Sequence, residues 1–145
     1  MVKGKPQSNQ LDHENIIKAT LDYAHGVAEG SWERVARAYD VPKAQMKLIT
    51  GEVGAEKVYI MPVQELWDKV WSKLPESPAH RVEILSMQIL EGRMAVVSLN
   101  NNGTYIDLLS LYKVNDSWKI YDKLSRTVSG AHIPEADLVA LFGEQ

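Results

Sequence analysis

The sequence predicts an α+β domain in which helices lead and an antiparallel sheet follows. Three observations predict it. Apolar residues recur at three- and four-residue spacing through the first half and lose that spacing after Arg81. Beyond Arg81, turn signals return about every ten residues, at Glu91-Gly92, Asn102-Gly103 and Asn115-Asp116. The runs between those turns are rich in β-branched and aromatic residues, which gives four strands in an antiparallel meander with the helices gathered on one face.

A chain of 145 residues is one domain of ordinary size, long enough to bury a core. Sixteen basic and 19 acidic residues are evenly mixed, for a net charge of -3, and no basic stripe pairs with exposed aromatics. A nucleic-acid surface is therefore not expected. Without cysteine there are no disulfides, thiolate metal sites or cysteine nucleophiles. No run approaches the ~20 apolar residues of a bilayer span, so no membrane partner is expected. The start, MVKGKPQSNQ, lacks the apolar segment of a signal peptide, and the expected location is cytoplasmic. On the same ground Asn102-Gly103-Thr104, which matches a glycosylation sequon, reads as a turn.

Residues 1–11 read as a disordered lead-in, 12–128 as the single domain, and 129–145 as an extension with a short helix from Pro134 to Phe142. Helical spacing begins at Asp12 with Ile16, Ile17, Thr20, Leu21, Ala24 and Val27. Asp12 or Asn9 is placed to cap the start, and Gly30 ends the helix. Ser31 then caps a second, shorter helix from Trp32 to about Tyr39, which Pro42 prevents from continuing. Ala44–Thr50 and Val58–Met61 read as strands. Pro62 opens a third helix whose stripe of Val63, Leu66, Trp67, Val70, Trp71 and Leu74 runs to Pro75. Strands at Val82–Leu90 and Arg93–Asn101 lead into the hairpin Thr104–Leu124.

Pairing Lys113 with Trp118 puts Leu111 opposite Ile120, Leu109 opposite Asp122 and Asp107 opposite Leu124. Two-residue turns at Asn102-Gly103 and Glu91-Gly92 then add Met94, Val96, Ser98 and Asn100, and next Ile89, Met87 and Leu85, to the same face. That face is apolar near the central turn and polar at the far end, where Ser98, Asn100, Tyr105, Asp107 and Asp122 gather. Asp107 and Asp122 become diagonal neighbours, roughly 6–8 Å apart. Two carboxylates that close in a partly dry site would raise one pKa, the route by which a carboxyl becomes an acid or base near neutral pH. The plainer alternative is a wet rim with ordinary carboxylates.

The runs YIDLLSLYK (Tyr105–Lys113) and WKIYDK (Trp118–Lys123) resemble the closing hairpin of the nuclear transport factor 2-like superfamily. The resemblance is closest to its group described as putative lumazine-binding, and the two leading helices over Tyr23–Tyr39 fit as well. It implies a cone: a strongly curved, mostly antiparallel sheet wrapped by three helices, usually dimeric through the outer sheet face. Relatives include polyketide cyclases, ketosteroid isomerase and dehydratases beside plain binding and assembly modules, so the fold leaves function open. Asp107 matches the motif's aspartate. Asp122 stands where the group more often has an uncharged residue. Tyr39-Asp40-Val41-Pro42 replaces a histidine-containing turn that some relatives carry.

The histidines at 13, 25, 80 and 132 lack metal-ligand spacing, and no glycine-rich phosphate loop is present, so neither metal nor cofactor is expected. Lys113, Lys119 and Lys123 read as a solvated rim, with Lys123 alternatively reaching an acid of a partner. Of the aromatic residues, Tyr39 and Trp67 are the first candidates for the cone mouth. The expected function is binding of a small, partly aromatic molecule by Tyr39, Trp67, Met87, Ser98, Asn100, Tyr105, Asp107 and Asp122. The alternative is proton-transfer chemistry beside a carbonyl (isomerase, cyclase or dehydratase), with Asp107 as base and Asp122 or Tyr105 donating to the oxyanion.

Overall fold

In the computed structural model, residues 4–128 are described; the expected C-terminal helix lies outside them. Among the described residues the chain forms α1 (Gly4–Glu29), α2 (Trp32–Ala38), β1 (Gln45–Thr50), β2 (Lys57–Pro62), α3 (Val63–Lys69), a single 3-10 turn (Trp71–Lys73), and the strands β3 (Val82–Leu90), β4 (Met94–Asn101), β5 (Tyr105–Val114) and β6 (Ser117–Thr127). The strands make one curved, mixed sheet ordered β2-β1-β6-β5-β4-β3, with only the β1–β6 pair parallel. The helices cover its concave side. No helix among the described residues is long and apolar enough to cross a membrane.

The helix α1 begins at Gly4, within the polar stretch that periodicity leaves outside the domain. Asp12 is consequently not a cap but lies inside the helix, buried, where it accepts hydrogen bonds from Trp118 Nε1 and Lys113 Nζ, both 3.0 Å. Burial raises its carboxyl pKa, but those two donors outweigh it and leave the group below its usual range. This contact clamps the turn end of the β5–β6 hairpin to α1. Ser31 caps α2 as expected, its Oγ accepting from Arg34 N. The two helices are tied by Asp22, which takes Arg34 and Arg37 from α2 and Lys18 from its own helix. Burial again raises the Asp22 pKa, yet the three cations hold it well below the carboxylate range.

Two hairpin registers differ from the expected ones. Asn102 and Gly103 adopt the left-handed conformation that a tight turn demands, as do Glu91 and Gly92. Pairing nevertheless resumes one residue late, at Asn101–Tyr105 and Leu90–Met94. The third loop residue is drawn to the next strand instead: Lys113 N donates to Arg93 O (2.9 Å) and Val128 N to Thr104 O (2.8 Å). The two shifts cancel for the second half of β3, so Met87 and Ile89 still look inward with Leu109 and Leu111, but β4 is inverted throughout, and a bulge at Leu85 turns that residue, expected inside, outward at 48% exposed. Ala95, Val97, Leu99 and Asn101 enter the interior, whereas Ser98 and Asn100, expected inside, are on the outer face.

The hairpin turn at Asn115-Asp116 keeps the expected Lys113–Trp118 and Leu111–Ile120 pairs. Directly beyond them Tyr121 is an extra residue, since Leu111 pairs with Ile120 but Ser110 with Asp122. The chain leaving α2 docks at this bulge, with Asp40 N donating to Ile120 O (3.0 Å) and Tyr39 bridging Ile120. Parity flips from there on. Lys123, Ser125 and Thr127 face inward, and Asp122 faces outward.

Candidate functional site

Asp107 is fully buried on the inner face of β5, at the polar end of an otherwise apolar core. Its Oδ2 accepts from Tyr23 OH (2.7 Å) and Asn101 Nδ2 (3.0 Å), and its Oδ1 from Ser125 Oγ (2.6 Å). Each donor comes from a different element: α1, β4 and β6. The cluster extends through Asn101, whose Oδ1 lies 2.6 Å from His80 Nε2, and whose Nδ2 also reaches Tyr23 OH (3.1 Å). With Asn101 Oδ1 able only to accept, His80 Nε2 is the donor of that pair. Burial and then the Asp107 charge push the Tyr23 hydroxyl well above its ordinary pKa, so it stays protonated and donates.

Lys123 completes the group. It is 6% exposed, with Nζ 3.9 Å from Asp107 Oδ1 and 5.7 Å from the ring centres of both Tyr23 and Trp71. The two rings offer cation–π contact. Burial pushes the amine pKa down, and Asp107 only partly restores it.

Beside this cluster lies a cavity of about 270 Å³. Met46, Leu48, Leu66, Val70, Trp71 and Val27 make its apolar walls, while Tyr23, His80, Asn101, Tyr105, Lys123 and Ser125 make its polar end. Asp107 does not line it; its partners stand between. Among the described residues no group of three or more His, Asp and Glu is placed to hold a metal.

Of the residues expected at the site, Asp107 and Tyr105 lie where the alternation of β5 puts them, at the inner face and the cavity wall. Met87 packs inward against the core but away from the cavity wall. Ser98 bonds Ser86 on the outer face, Asn100 holds the Asn102-Gly103 turn through Gly103 N, and Asp122 forms an ion pair with Lys47, part-exposed. The proposed carboxylate pair therefore does not form. Tyr39 is 1% exposed and sealed in the core, edge-on to Tyr23. Trp67 packs against Trp32, the ring centres 5.2 Å apart and the planes tilted by 41°, and Trp71 takes the cavity position instead. The reason is local: α3 stops at Lys69, and Val70, at φ −126°, turns the chain so that Trp71 swings inward. The expected lysine rim is replaced by three bound lysines: Lys113 on Asp12, Lys119 on Arg37 O (2.7 Å), and Lys123 beside Asp107. Tyr23, His80, Asn101, Lys123 and Ser125 escape sequence reasoning. For Lys123 and Ser125 a bulge in β6 was the missing signal.

The family model described as putative lumazine-binding matches residues 12–125, which includes every residue of this cluster. The chain belongs to the putative lumazine-binding family. Solved structures similar to this family member share its nuclear transport factor 2-like fold. A nuclear transport factor 2-like protein of unknown function from Shewanella baltica is 21% identical, with a TM-score of 0.69 over 81% of this chain and 94% of the other. A hexachlorocyclohexane dehydrochlorinase from Novosphingobium barchaimii is 15% identical (TM-score 0.59, 89% and 98%), and the association domain of C. elegans CaMKII is 9% identical (0.56, 80% and 95%). No curated protein is similar enough in sequence to be matched to it.

Proposed function

We propose that this protein binds a small, largely apolar organic molecule inside the cone, its polar end seated at Lys123 beside the Tyr23, Asn101 and Ser125 cluster. The observation that carries the reading is the cavity itself: apolar walls closing on one buried, hydrogen-bonded polar cluster, the usual make-up of a ligand site. Its volume of about 270 Å³ is just below the roughly 300–1,000 Å³ typical of such sites, which suits a ring-sized ligand. Asp107 acts in this reading as a positioning residue, since it fixes four side chains and touches no ligand. A role as general base fits less well, because both its oxygens are occupied by donors and it is walled off from the cavity. Native mass spectrometry after non-denaturing purification, supplemented by titration with small aromatic compounds, is expected to reveal a bound molecule. Val27→Trp, which fills the cavity from α1, is expected to abolish it. Equal retention by that variant, or no binding at all, would end the reading.

The outer sheet face has a second role in this proposal. Leu90, Met94, Ile106, Leu108 and Tyr112 share that face and are each more than a third exposed, an apolar patch that calls for a partner. A second copy of the chain is the partner proposed, in keeping with the CaMKII association domain, which has the same fold. Light scattering at micromolar concentration should give a dimer mass for the native chain and a monomer for Leu108→Lys with unchanged circular dichroism. A native monomer excludes this partner.

A further inference from the structure

We infer that the ligand of the cone is a monocarboxylate, an apolar ring-sized body with a single anionic end seated on Lys123. The inference rests on the cavity reading above and names the ligand's class.

The hydrogen-bond directions at the polar end point to Lys123, with His80 Nδ1, buried without a partner, left for a neutral group of the ligand. Tyr23 and Ser125 spend their hydroxyl protons on Asp107, and Asn101 spends its amide protons on Asp107 and Tyr23. None of the three has a donor left for a ligand. Lys123 is different. It carries three N–H donors, it lines the cavity, and no described residue lies within hydrogen-bonding distance of its Nζ. Asp107 is at 3.9 Å, too far for a hydrogen bond, and its charge is already shared among three others. A buried ammonium with unmet donors, fenced by the Tyr23 and Trp71 rings, selects an acceptor, and a charged one makes the stronger bond.

Charge count narrows the class further. Lys123 is the single Lys or Arg among the described cavity-lining residues, and no Asp or Glu lines the cavity with it. Asp107 already stands 3.9 Å from Lys123, so a ligand's charge adds to that acid's; a carboxylate adds one and a phosphate monoester close to two, which costs more in a buried site.

The test is calorimetric titration of the full chain with benzoate, cinnamate and 2-naphthoate, each beside its primary amide, which has the same shape without the charge. At least one acid is expected to bind about tenfold or more tighter than its amide. Lys123→Met is expected to reduce that ratio to near unity. Should Lys123→Met fail to fold, Lys123→Gln serves the same purpose. Amides binding as tightly as acids, or a preference that survives loss of the ammonium, overturns the carboxylate inference and leaves the cavity reading standing. No binding of acid or amide by the native chain overturns both.

Discussion

Asp107→Asn will lower the stability of the fold by roughly 3–5 kcal/mol, the range seen when one partner of a buried charge pair is removed. The substitution is nearly isosteric, so the loss is electrical and directional rather than steric. An amide puts an N–H where one of the donors Tyr23, Asn101 or Ser125 now points, and it strips the adjacent charge from Lys123. Urea unfolding is the measurement. The double variant Asp107→Asn/Lys123→Met removes both charges and should recover a substantial part of the loss, because a buried pair replaced by neutral groups is often close to neutral in stability. A single variant within about 1 kcal/mol of the native chain, the size of an ordinary substitution, would mean that Asp107 is not the tie we describe.

Gly26→Ala should destabilise by roughly 1–3 kcal/mol, the usual cost of overpacking. This is against the helix-propensity trend, which favours Ala by about 1 kcal/mol at an interior position. α2 crosses α1 at Gly26. A Cβ there would lie 2.9 Å from Arg34 Cβ, 3.0 Å from Val35 Cγ2 and 3.1 Å from Val35 N, and the one side-chain end among them, Val35 Cγ2, belongs to a short β-branched residue that is fully buried. Asp22 with Arg34 and Arg37 holds the helices at that distance, so relief requires stretching those ion pairs. Gly30→Ala is the control: nothing lies within 4 Å of its Cβ, and any loss there comes from its φ of +72°. If Gly26→Ala instead raises the urea midpoint, the helices are not in contact at this point.

The order of elements was legible because it depends on local pattern: helical spacing, the Ser31 cap, and turn pairs with left-handed residues. Asp107 was legible too, since Leu111, Leu109 and Asp107 alternate on a strand without interruption. What was not legible depends on contacts far apart in sequence. The Asn102-Gly103 pair specifies a tight turn, but where pairing resumes depends on whether Thr104 O bonds Val128 N on β6. In β6 both parities carry apolar residues, Ile120 and Leu124 on one and Tyr121 on the other. Hydrophobic alternation therefore could not reveal an extra residue held by the chain leaving α2. That residue decides whether Asp122 or Lys123 looks inward, and with it the sign of the charge offered to a ligand. Trp71 replaced Trp67 for a similar reason, since a helix stop at Lys69 leaves no mark in a stripe that continues to Leu74.

The surplus Tyr121 has a consequence for how such a protein diversifies. Loss of that codon would leave Ser110 paired with Asp122 and so keep Lys123 and Ser125 inside, whereas drawing Tyr121 into the ladder would export the amine and import the acid, with Ser125 and Leu124 exchanging sides. The polarity of the hollow is thus set by whether one residue is held out of the ladder, an inversion that no single replacement on its walls achieves.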